Sequence, residues 1–155
     1  MRAVLLLLLC LGGLVSPGGA FAQNGPQPSP LIPTPAEDLP RVPDGKVYAT
    51  EQWRLGNYDV ALAYFAQAYA DDLAAGDLEG MAADLNQIGL IQWRLNDCTS
   101  AMAAYTESAR LAEQCGMERL LGLTYLNRAI LLKNQGLTDS AFAMNAEALR
   151  TFKRL

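Results

Sequence analysis

The sequence contains no histidine. That removes the commonest general base near neutral pH and the commonest metal ligand, and with them most familiar catalytic arrangements. Cysteine is scarce too, at three residues in 155, and two thiols without a histidine make a poor zinc site. Positive charge is short: twelve Lys and Arg stand against sixteen Asp and Glu, with no basic block. The electrostatic footprint of phosphate-backbone binding is therefore missing, and nucleic acid is not an expected partner. Proline is absent after Pro43. A chain of this length holds one modest domain.

The first segment present is one that is expected to be removed. Arg2, an apolar run from Val4 to Val15 and the small-x-small triplet Ala20-Phe21-Ala22 form the pattern of a secretory signal peptide over residues 1–22. The run is too short to remain as a bilayer-spanning helix. Lipoprotein processing at Cys10 would need a small residue just before it, and Leu9 stands there. Cleavage after Ala22, with Ala20 as the alternative, gives a mature chain beginning at Gln23, exported to the periplasm or secreted, with no membrane span.

Residues 23–43 hold seven of the eight prolines. Proline removes a backbone donor and disfavours helix in the residue before it, so this stretch reads as an extended tether. A proline-rich ligand for another domain is the other reading. Beyond it the composition turns to Ala, Leu, Gln, Glu and Met, all good helix formers. The breaks at Gly56-Asn57, Gly76-Asp77, Asn96-Asp97, Cys115-Gly116 and Gly136 predict helices at about 45–55, 58–75, 78–95, 98–115, 117–135 and 138–153.

Those six helices repeat in pairs. Gln52-Trp53-Arg54-Leu55 returns as Gln92-Trp93-Arg94-Leu95, 40 residues on. At the same spacing Ala49, Gly89 and Ala129 correspond, as do Gly56, Asn96 and Gly136, then Ala61, Ala101 and Ala141, then Ala68, Ser108 and Ala148. The held positions are small, as close helix approach requires, while Phe65, Leu85, Ile88 and Tyr105 fill the space around them. Cys98 and Cys115 bound one predicted helix. Seventeen steps of about 1.5 Å separate them by about 25 Å, too far for a disulfide, so free or buried thiols or an intermolecular bond are expected.

Residues 88–114, with Gly89, Asn96-Asp97, Ala101, Tyr105 and Ser108, and residues 55–68, with Gly56, Tyr58, Ala61, Phe65 and Ala68, resemble the tetratricopeptide repeat family in its longer, roughly 40-residue form. The third copy keeps Ala129, Gly136, Ala141 and Ala148, with Asn145 where the family prefers an aromatic. The resemblance covers residues 44–155 as three repeats, about 44–76, 77–116 and 117–155. It implies an all-α fold, a right-handed superhelix of three helix-turn-helix units whose first helices line a concave groove. It also implies a non-catalytic scaffold, without cofactor or metal, that binds a peptide or protein segment in that groove; the signal peptide places such a scaffold in the cell envelope. Carried onto this chain, the groove positions are Lys46, Thr50, Trp53 and Arg54, then Asn86, Gln87, Leu90, Trp93 and Arg94, then Leu126, Asn127, Ile130, Lys133 and Asn134. The set departs from the pattern that clamps a terminal carboxylate. Arg54, Arg94 and Lys133 instead place cations in a net acidic chain, which suits an acidic partner.

Plainer readings stand beside these. Trp53 and Trp93 read first as seam packing, Gln52 and Gln92 as hydrogen-bonding groups across the interface or marks of a loosely packed seam, and Arg54 and Arg94 as solvated helix ends. Two other functions remain open. Phe142, Leu149, Phe152 and Leu155 on the last helix would support a self-associating structural module. A remote alternative, a cell-wall glycosidase, would require an acid such as Glu51 or Glu107 in a cleft beside a second carboxylate or a water-holding group.

Overall fold

The structure is a computed structural model, which describes residues 33–36 and 38–155; the expected signal peptide and residues 23–32 of the tether lie outside the described residues. Six helices follow one another: α1 (Gly45–Leu55), α2 (Tyr58–Ala75), α3 (Leu78–Arg94), α4 (Cys98–Gln114), α5 (Glu118–Asn134) and α6 (Thr138–Phe152). The described residues contain no strand. The all-α expectation holds, and no helix end differs from the predicted position by more than one residue.

One turn chemistry separates all six. Gly56, Gly76, Asn96, Gly116 and Gly136 have positive φ. The amide after each returns to a carbonyl five residues earlier: Asn57 to Gln52, Asp77 to Asp72, Asp97 to Gln92, Met117 to Ala112 and Leu137 to Leu132. This is the left-handed helix cap that glycine adopts without strain, and Asn96, with φ of 65°, is the residue type that best substitutes for it. The chain thus reverses every twenty residues. Asp44, Asp77 and Asp97 then start α1, α3 and α4 by accepting from the amides of Val47, Gly80 and Ser100, each at 3.0 Å; an aspartate cap stabilises a helix start by about 1 kcal/mol.

Each helix packs on the next in sequence, and α3 also meets α5. The small repeating residues are the contact points: Ala49, Ala61, Ala68, Gly89, Ala101, Ser108, Ala129, Ala141 and Ala148 are all buried. At Gly89 a β-carbon would fall 2.8 Å from the Tyr105 ring and 3.2 Å from the Ala101 carbonyl, so α3 and α4 touch there backbone to side chain. Gly122 is held likewise under the ring of Phe152. Of the four residues expected to leave an apolar end, Phe142, Leu149 and Leu155 are exposed, whereas Phe152 folds back onto α5. Before α1, Leu39 and Val42 pack on the core, and the Pro40 carbonyl accepts from the Tyr64 hydroxyl at 2.6 Å. Packing therefore begins ahead of residue 44. No described helix is long and apolar enough to cross a membrane.

Candidate functional site

The first helices of the three units are tied side by side through polar contacts that recur with the repeat. Lys46 of α1 lies 3.0 Å from Asp84 of α3. One repeat on, the Asn86 amide oxygen of α3 accepts from Asn127 of α5 at 3.0 Å and faces the Thr124 hydroxyl at 3.3 Å. Positions 46 and 86 correspond, and so do 84 and 124. The same seam is thus bridged at both junctions, ionic at the first and neutral at the second.

The second junction is a small buried network. Ser108 donates to the Ala82 carbonyl at 2.7 Å and stands 3.4 Å from the Thr124 hydroxyl. Thr124 has one proton to divide between Asn86 and the nearer Leu120 carbonyl at 2.9 Å, which leaves Asn127 as the firm donor to Asn86. Burial of polar groups is tolerated here because each has a partner.

At the first junction two carboxylates share one ammonium. Lys46 donates to Asp72 at 2.8 Å as well as pairing with Asp84. Asp84 is 2% exposed, and burial pushes its pKa up to about 7 in spite of Lys46, with Asp72 adding repulsion. Burial also works against the Lys46 charge, but the hydrogen bonds and charges of Asp72 and Asp84 outweigh it and hold the ammonium pKa above its ordinary value. A raised carboxyl pKa often marks a reacting group. An adjoining pocket of about 270 Å³ is lined by Lys46 and Asp72 but not by Asp84, so the perturbed group is enclosed in the joint between units.

The expected groove residues divide into two sets. Asn86 is buried in the network above, Asn127 is half-buried in it, and Lys46 is half-buried in the ion pair. Arg54, Gln87, Arg94, Lys133 and Asn134 are exposed, and so are Thr50 and Ile130; Leu90 and Leu126 are half-buried. Both indoles pack: Trp53 lies against the main core, and Trp93 against Ala101, Tyr105 and Leu131. The Trp53 ring nitrogen is buried without a hydrogen-bond partner among the described residues. The Arg94 guanidinium lies 4.9 Å from the Trp93 ring centre, a cation–π contact.

Of the acids weighed for hydrolysis, Glu51 is 3.5 Å from Arg54 and Glu107 is held by two Arg110 contacts at 2.6 and 2.9 Å. Each faces an arginine one turn along its own helix. Cys98 and Cys115 are half-buried free thiols at opposite ends of α4. Among the described residues no three His, Cys, Asp or Glu side chains group so as to hold a metal ion.

Sequence reasoning missed Asp72, Asp84 and Thr124, and read Ser108 only as a small packing position. The signal for two of them is the recurrence of polar pairs 38 residues apart, Lys46 with Asp84 and Asn86 with Thr124. Comparison with protein-family models, curated proteins and solved structures found no match.

Proposed function

We propose that the chain is an exported, tetratricopeptide-like scaffold, its three helix pairs wound as a right-handed superhelix, which binds an acidic peptide or protein segment along α1, α3 and α5. The observation that carries the reading is that Arg54, Arg94 and Lys133, near the C-terminal ends of those three helices, are all exposed; Arg54 and Arg94 share one repeat position and Lys133 holds the position before it, so the cations fall on two adjacent rows. The helices are neighbours through the Lys46–Asp84 and Asn127–Asn86 contacts, and the chain is net acidic. Rows of one sign on a surface of the other attract and orient an extended acidic segment. The half-buried rings of Trp93 and Trp53 beside these cations supply apolar contact for an aromatic or aliphatic anchor.

The test is binding to an array of acidic peptides with and without such an anchor. Acidic, anchored peptides should be retained, with retention falling as salt rises, and Arg54→Glu with Arg94→Glu should weaken it at least about tenfold at low salt while leaving helicity unchanged. Retention by the double variant equal to that of the parent would sink the proposal.

A further inference from the structure

Helix α6 carries a stripe that no described residue covers. Asp139, Phe142, Ala146, Leu149 and Lys153 follow one another at intervals of three, four, three and four residues, which places them on one helix face. Phe142 is 68% and Leu149 56% exposed, although Tyr69 and Ala109, the counterparts of Leu149 in the earlier units, are buried. Neither Asp139 nor Lys153 forms an ion pair among the described residues. The other end of the stack is occupied by Leu39, Pro40 and Val42 of the same chain, so a copy adding there in line would have to displace them.

Reversed, the stripe is its own complement. Asp139 and Lys153 each stand seven residues from Ala146, about 10 Å along the axis at 1.5 Å per residue. Phe142 and Leu149 stand four and three residues from it, on opposite sides. We propose that α6 is a dimerisation surface whose occupant is α6 of a second copy, antiparallel, with the two-fold axis passing at Ala146. Asp139 then meets Lys153 of the copy at both ends of the contact, and Phe142 lies over Leu149 of the copy. Ala146, a methyl group at the crossing point, lets the two helices approach. Each copy presents the same patch to the other, so the assembly closes at two. A stable interface buries roughly 800 Å² per partner, and a single helix face lies at the low end of that scale. The dimer is therefore reversible. This inference does not rest on the peptide-binding reading, since α6 carries none of the residues assigned to it.

Sedimentation equilibrium of the purified protein across the micromolar to millimolar range tests the inference, with circular dichroism to confirm that each variant keeps its helices. The parent should fit a monomer–dimer equilibrium, and Phe142→Glu should sediment as a monomer. Lys153→Asp, which sets two like charges opposite each other at both ends, should raise the dissociation constant at least about tenfold. Asp139→Lys combined with Lys153→Asp should restore it. A parent that stays monomeric throughout, a dimer indifferent to Phe142→Glu, a species larger than a dimer, or a paired reversal no tighter than the single one would each overturn the assignment.

Discussion

Replacing Asp84 by asparagine keeps the shape of the side chain and removes its charge, and the effect should depend on pH in a defined direction. Burial moves the folded-state pKa from the ordinary 3.8 to about 7. Between those values the folded protein keeps a proton that the unfolded chain has released. The stability linked to this group is therefore full below about pH 4, falls as pH rises through that window, and levels off above about pH 7. At about 1.4 kcal/mol for each tenfold change in proton affinity, the fall across these roughly three pH units is on the order of 4 kcal/mol. Lys46 stays charged throughout the window, because its ammonium pKa is held above 10.5. Asp97, held below the usual carboxylate range chiefly by its hydrogen bonds to Ser100, acts in the opposite direction but is common to both proteins. The difference between Asp84→Asn and the parent isolates the site. Urea denaturation at intervals from pH 4.5 to pH 8 should show the two nearly equal at the acid end and the variant more stable, by a few kcal/mol, at pH 8. Parallel curves, or a variant less stable than the parent at pH 8, would refute the view that the enclosed carboxylate is a net cost to the joint.

Three further outcomes are expected. Ala101→Leu should cost about 1 to 3 kcal/mol by overpacking the contact with Gly89, while Ala74→Leu on the exposed end of α2 should change the denaturation midpoint little. Asn86→Ala should cost about 1 to 3 kcal/mol by leaving the half-buried Asn127 amide without its acceptor, and a double-mutant cycle with Asn127→Ala should return a coupling energy well above zero. Expressed from its first residue in a secreting host, the protein should be recovered outside the cytoplasm with the intact mass of a chain starting at Gln23; retention of residues 1–22 would contradict the signal-peptide assignment.

The fold was legible where one residue type meets one geometric demand. Small residues 40 apart marked the helix contacts, and a glycine or asparagine after each apolar run marked the turns, because few other side chains satisfy either demand. The site was legible only in part. Sequence spacing assigns residues to a helix but fixes its rotation to no better than about one residue, and one step turns the side chain by about 100°. That is the difference between Asn86, enclosed between α3 and α5, and Gln87 beside it, which is exposed. Nothing local in the sequence distinguishes Asp84 from the other acids. Its partner Lys46 lies 38 residues away, a separation that acquires meaning only after the repeat has been aligned. The indoles show the same ambiguity: Trp53 and Trp93 recur in phase, and the structure uses both first for packing.

The reversal of the chain every twenty residues also governs the order in which the molecule can assemble. Every principal contact joins a helix to the one before it or to the one before that, so no segment waits for a distant partner. As the polypeptide emerges from its N-terminal end, α2 finds α1 already available, α3 finds both, and α6 needs only α5. Loop-closure costs stay small and nearly constant along the chain, which favours fast folding. The same locality sets the manner of failure. With each unit held only by its neighbours, loss of structure starts at an end and travels inward, and a weak joint such as Lys46 with Asp84 marks where the travelling boundary should pause or pass.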